Sequence, residues 1–263
     1  MQDPSDNDMA KLSSNDVIDL EREAQYLSES WLNGSFLEFL EVFIHQILYI
    51  RNVYPQEIFE RRRKYGIPVW MSRHPGLNEY IFQFLRHTAP IMDQGLMQSF
   101  ALVILKQPKR GLTRSPAEKY IMDLGTGLSA AHGDTKMTSQ GGNEKLEAQF
   151  KAVLIKLSLA ETNLVDPDPD DSFTLLIQTH KFDAQSSSDG KKTSEAFLNS
   201  CVDQSDKWVD GSSLVSDNLD GDAGNSAQST LHTQAPPHVL PLYSFEFGED
   251  IAQFYVEVST PSI

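Results

Sequence analysis

Residues 36–54 read FLEFLEVFIHQILYIRNVY, and Pro55 follows. Thirteen of these nineteen positions are apolar or tyrosine, and on a helix they cover nearly the whole circumference. A helix that is apolar all round is buried on most sides, so this one is predicted to be the spine of the domain. Its pattern begins near Asp16, with Ser14 or Asn15 as N-cap, loosens at Gly34 and stops before Pro55. Glu38, Glu41, His45 and Gln46 interrupt the apolar run, and it is too short to cross a bilayer.

On the C-terminal side, Glu60–Lys64 (ERRRK) reads as a basic turn and Ile67–Met71 as a short extended run. Pro75 opens a second helix to about Met92, with Leu77, Tyr80, Ile81, Phe84 and Leu85 at helical spacing. The run FALVILK at 100–106 predicts a central strand, and Lys119–Leu124 a partner across a turn. Residues 125–142 read as loop. A third helix is expected over Asn143–Thr162, with Leu146, Phe150, Val153, Leu154 and Leu157 on one face. DPDPDD at 166–171 is a turn, and Ser172–Phe182 a strand. Residues 183–235 are poor in apolar side chains, which predicts a flexible acidic linker. Apolar residues return in 236–263, so an extended tail is expected to rejoin the core. The boundaries are therefore a disordered tail over 1–15, a core over 16–182, the linker, and a returning segment. Helices packed on an antiparallel sheet make this an α+β chain.

The net charge is −15 over 263 residues, but it is unevenly placed. Residues 1–29 hold eight acids and two bases, and 161–235 hold fourteen acids and four bases. Residues 30–160 carry sixteen bases and eleven acids. A chain so acidic is a poor candidate for gripping DNA through its phosphates. Its one cysteine, Cys201, excludes an internal disulfide and suits a reducing compartment. No basic and apolar leader stands at the N-terminus, so an intracellular, soluble protein is expected.

Catalytic chemistry finds little support. Asp123, Gly125 and Gly127 in DLGTGLSA resemble a nucleotide or S-adenosylmethionine loop. However, Ser129 replaces the third glycine, and no helix or acid-terminated strand follows at the required distance. An enzyme using Gly125 and Gly127 remains as a rival reading. The seven histidines form no pair at metal-ligand spacing. His45 reads as a core residue and His74 as a helix cap. The 166–171 aspartates lack the glycine and closing glutamate of a calcium loop. No cofactor or metal is predicted.

FLEVFIHQILYIRNVYP at 39–55, followed by IFERRRKYGIPVWMSRHPGLNEYI at 58–81, resembles one family closely. It is the HORMA-domain adaptors that serve as non-catalytic accessory subunits of DNA polymerase zeta. The likeness resumes at QFKAVLIKLS (149–158), SFTLLIQT (172–179), Leu240–Leu242 and Gln253–Glu257. It implies a HORMA fold: three helices on an antiparallel sheet, with a C-terminal safety belt that wraps a partner peptide. The implied client is a proline-containing segment of the polymerase zeta catalytic subunit, held by Tyr80, Leu176 and Trp208. A second surface, on Val239, Gln253 and Tyr255, is implied for the C-terminal domain of an inserter translesion polymerase. Self-association to a homodimer is implied through Arg61, Lys151 and Thr162. Val239 stands where the family has leucine, and Lys151 where it has arginine, which removes a planar two-pronged donor. A nuclear, non-enzymatic role in translesion synthesis and DNA repair follows from the resemblance, with an AAA-type remodeller to open the belt and neither membrane nor direct DNA contact. A spindle-checkpoint or meiotic-axis HORMA protein is the alternative within the fold.

Overall fold

The computed structural model describes residues 31–106, 115–125, 140–164, 170–179, 237–247 and 250–259. The predicted tail over 1–15, the linker over 183–235 and Trp208 lie outside them.

Helix α1 spans Trp31–Ile50 and runs through Gly34 without a break. From Phe36 to Ile50 its apolar side chains are at most 7% exposed, apart from a partly buried Tyr49. It ends where Asn52 takes a left-handed conformation (φ 48°). The Asn52 amide then donates to Tyr49 and the Val53 amide to Leu48, closing the last turn. Helix α2 (Pro75–Asp93) starts at His74, whose Nδ1 accepts from the Leu77 amide at 3.2 Å. That is the capping role expected of this histidine. In helix α3 (Gln140–Ala160) the five predicted apolar residues, Leu146, Phe150, Val153, Leu154 and Leu157, are the buried ones. The helix begins within the stretch expected to be loop.

Residues 60–64 correct the sequence reading. They form not a turn but most of strand β1 (Phe59–Lys64), paired antiparallel with β2 (Ile67–Ser72). Tyr65 (φ 50°) and Gly66 (φ 73°) make the two-residue connection that matches strand twist. The five consecutive charges hid a period of two. Arg62 pairs with Glu60 and Lys64 with Glu38 of α1, while Arg61 and Arg63 face solvent. The turn inserts the Tyr65 ring against Phe39 and Phe150, 6.2 and 5.5 Å between centroids.

The main sheet contains β3 (Met97–Lys106), β4 (Ser115–Asp123), β5 (Ser172–Thr179), β6 (His238–Phe247) and β7 (Asp250–Val258). Its order is β5-β3-β4-β7-β6, antiparallel throughout. One face carries Phe100, Leu102, Tyr120, Met122, Phe254 and Val256 into the core beneath the helices. The apolar tail therefore returns as a two-stranded hairpin added to β4. Phe254 sits edge-on to Phe39 and Phe43 of α1, at 5.7 and 5.8 Å.

A buried ion pair ties spine to sheet. Arg51 Nε and Nη2 donate to Glu118 of β4 at 3.0 and 2.7 Å, and the Tyr120 hydroxyl donates to the same carboxylate at 2.8 Å. Removing one partner strands a charge out of water. Arg51→Ala should therefore cost about 3–5 kcal/mol in urea unfolding. An Arg51→Met/Glu118→Leu chain should recover much of that loss. Equal losses for the single and double variants would show that packing, not the pair, carries the effect.

Candidate functional site

β5 is the last strand on its side of the sheet, and among the described residues nothing pairs with its outer edge. Tyr80 of α2 lies against that edge. Its ring meets Phe173 of β5 edge-on at 5.7 Å, and its phenol accepts hydrogen bonds from the Leu175 backbone and the Thr174 side chain. Burial of the phenol raises its pKa above the ordinary tyrosine value, and the two hydrogen bonds pull it partly back. The ring still leaves 46% of the residue exposed. Tyr54, just past the end of α1, meets the other side of the cluster, 6.0 Å from Phe173. The result is an open strand edge with an aromatic wall on its helix side.

Strand alternation places Leu176 on the opposite face. Its register partner is Ala101, whereas Leu175 opposes the buried Leu102. Leu176 is half-buried and shares its side of the strand with Thr174 but not with Phe173.

The other predicted surface gathers at the far end. Gln253 and Tyr255 alternate along β7, and Val239 lies on the neighbouring β6. Tyr255 opposes Pro241 on one side and Ile121 on the other, and Val239 opposes Glu257. All three project from the face turned away from the helices. Val239 and Gln253 are exposed and Tyr255 is partly covered. Burial, then the carboxylates of Asp123 and Glu257, push the Tyr255 phenol pKa up. Ile251, 46% exposed, extends the patch.

Lys151 and Thr162 lie about three turns apart on α3 and the 3₁₀ turn (Glu161–Asn163) that prolongs it. Exposed Ile155 and Leu159 fall between them. Arg61 stands on the β1–β2 hairpin, a separate element. Gly125, at φ 61°, serves the turn out of β4, with its amide held by Asp123 Oδ1 at 2.8 Å. Gly127 lies outside the described residues. A dinucleotide or methyl-donor loop follows a strand of a parallel sheet, whereas β4 pairs antiparallel with both of its neighbours, β3 and β7. Among the described residues no His, Cys, Asp and Glu cluster could hold a metal, and no helix is long and apolar enough to cross a membrane.

Comparison with known proteins decides the family. Residues 36–200 match the HORMA domain.

The chain belongs to the HORMA-domain family.

It is 33% identical over 144 residues to the human mitotic spindle assembly checkpoint protein MAD2B, covering 55% of this chain and 64% of that one. It is 31% identical over 135 residues to the DNA polymerase zeta processivity subunit of Arabidopsis thaliana, covering 51% and 57%. The chain thus matches less than two thirds of the length of these relatives. A crystal structure of the mitotic checkpoint complex contains a chain of the same fold: TM-score 0.58, 17% identity, covering 88% of this chain and all of that one.

Within this HORMA fold two contributors escaped the sequence reading. Tyr54 looked like the tail of the spine helix, and Phe173 like an ordinary strand residue. Only the register that brings β5 under α2 makes them neighbours of Tyr80. Because burial outweighs the two hydrogen bonds, the Tyr80 phenol should ionise above pH 10. The difference in phenolate absorbance between the unmodified chain and Tyr80→Phe should show that midpoint. A midpoint at or below pH 10 would mean a fully solvated ring.

Proposed function

We propose that the chain is a non-enzymatic nuclear adaptor that captures an extended, proline-containing segment of the DNA polymerase zeta catalytic subunit by strand addition on β5. The observation that carries this reading is the unpaired β5 edge with Tyr80 standing against it. An added strand satisfies its own backbone groups on such an edge, and pockets for alternate side chains give specificity. Tyr80, Tyr54 and Phe173 would meet one face of the guest and Leu176 the other. A flat phenol suits a proline ring. Proline has no N–H to donate, so it is tolerated where the guest's amide points away from β5. Trp208, in the belt, would close over the guest.

The names of the relatives, a polymerase zeta processivity subunit and a spindle checkpoint protein, support this class of partner. The outer face of the β6–β7 hairpin, with Val239, Gln253 and Tyr255, would receive the C-terminal domain of an inserter translesion polymerase. That face and the β5 edge lie on opposite sides of the sheet, separated by three strand spacings from β5 to β7, roughly 14 Å. Neither guest would block the other, as a bridge between two polymerases in translesion synthesis requires. Opening of the belt would fall to an AAA-type remodeller. Lys151, Thr162 and the exposed Ile155 and Leu159 would supply a homodimer contact on α3, with Arg61 contributing from the hairpin. A checkpoint or meiotic-axis role would use the same edge with a different client.

Tyr80→Ala should weaken capture of a proline-containing catalytic-subunit peptide by about tenfold or more, the scale of an aromatic hot spot. Unchanged affinity would sink the edge assignment. Tyr255→Ala should abolish the ternary complex with the inserter polymerase domain while sparing the first peptide. Loss of both partners would contradict two separate surfaces.

A further inference from the structure

The C-terminal hairpin is attached in two different ways. β7 forms a ladder with β4, from Glu118 opposite Val258 to Asp123 opposite Gln253. β6 pairs with β7 alone among the described strands, so side chains must hold it to the rest. Phe245 is one of them. Its ring lies parallel to Phe36 of α1 at 6.5 Å and to Phe254 at 6.0 Å, and steeply inclined to Phe150 of α3 at 6.2 Å. Leu242 is buried in the same core and Leu240 packs against it, and Tyr243 adds a directional contact. Its hydroxyl donates to Oε1 of Gln149 on α3 at 2.8 Å, and both residues are half-buried.

These contacts differ in kind. Apolar packing is non-directional and survives small slides. A 2.8 Å hydrogen bond between two side chains is lost once the strand tilts. β6 is the outermost strand, so a hairpin peeling from that side loses Tyr243–Gln149 first. It must then draw Phe245 away from Phe36 and Phe150 before the β4–β7 ladder opens.

We propose that Tyr243, Gln149 and Phe245 form a release latch, through which α3 sets how readily the C-terminal hairpin comes away from the core. The latch deepens the reading above, because it bears on function where the hairpin moves to admit or release a guest. It is nevertheless a property of the free chain.

The test is amide hydrogen exchange on the full chain with no peptide present, reading β7 from Gln253 to Val256 against β3 as the internal reference. Tyr243→Phe keeps the ring and removes the hydroxyl. It should speed β7 exchange about fivefold, the scale of one net hydrogen bond, and leave β3 unchanged. Gln149→Ala should give a similar acceleration. Combining the two should add little, since both remove the same bond. Phe245→Ala should accelerate β7 by a hundredfold or more. Ser244→Ala, exposed on the same strand, should match the unmodified chain.

Unchanged β7 exchange in Tyr243→Phe overturns the latch. So does an equal acceleration of β3 and β7, which means general destabilisation, and so do additive effects of Tyr243→Phe and Gln149→Ala. The assay contains no client. Faster β7 exchange alongside failed peptide capture would therefore keep the latch and remove the adaptor reading, and the reverse result would do the opposite.

Discussion

The three antiparallel strands β5-β3-β4 end in two rows of unpaired peptide groups, and one C-terminal hairpin can extend them on one side at a time. It does so at β4, where β7 continues the ladder and β6 becomes the new border. That border is unsuited to further pairing. Pro241 has no N–H to offer, a register irregularity follows between Pro241 and Tyr243, and Glu246 lies exposed near the end of the strand. Proline, bulges and charges are the usual means of blunting an edge. β5 carries none of them between Phe173 and Ile177. The asymmetry between a blunted border and an unblunted one is what makes β5 the place proposed for a guest, and it exists because the hairpin pairs on the other side.

What holds the tail there is mostly α1. Few helices are buried around nearly their whole girth. This one can be, because the sheet, α2, α3 and the β1–β2 hairpin each take a share of its surface. Phe39 illustrates the arrangement. It stacks on Phe150 of α3 at 4.2 Å, lies 6.2 Å from Tyr65 of the β1–β2 turn and meets Phe254 of β7 edge-on. One ring thus joins a helix, a hairpin and the C-terminal strand. Aromatic pairs of this kind contribute about 0.5–1.5 kcal/mol each beyond their area. The Arg51–Glu118–Tyr120 network adds direction to that packing. It fixes the end of α1 over β4, the strand on which the tail must land.

This division also explains what could be read from the sequence. The three helices were legible because their apolar residues recur at helical spacing, and α3 buries the five residues that spacing selects. β1 was not, because alternation of one charged residue with another carries no polarity signal; the Tyr65–Gly66 turn was the better clue. Among the site residues, Val239, Gln253 and Tyr255 share a face because they alternate on neighbouring strands, as Tyr255 opposite Pro241 shows. The apolar tail announced that it would return, but no local pattern says which edge it takes, since pairing partners are chosen by the whole sheet. Tyr54 and Phe173 depend on the same non-local register, being over a hundred residues apart.

Charge placement separates the two surfaces in character. Among the described residues no carboxylate perturbs the Tyr80 phenol, so a guest proposed for the β5 edge would depend on backbone pairing and ring contact. The Tyr255 phenol, by contrast, is pushed up by burial and then by Asp123 and Glu257, and Glu257 has Lys119 3.8 Å away. Such rim charges in solvent contribute little to affinity, but they orient an arriving partner and make its association rate depend on salt. On the reading proposed above, a guest at β5 would be retained by what it buries, and its exchange would be governed by the slow opening of structure. A guest on the outer face of the hairpin would meet a ready-made surface, able to bind and leave while the first remains. On that proposal one fold would offer a slow grip and a fast one, because one surface is an incomplete sheet and the other a finished face.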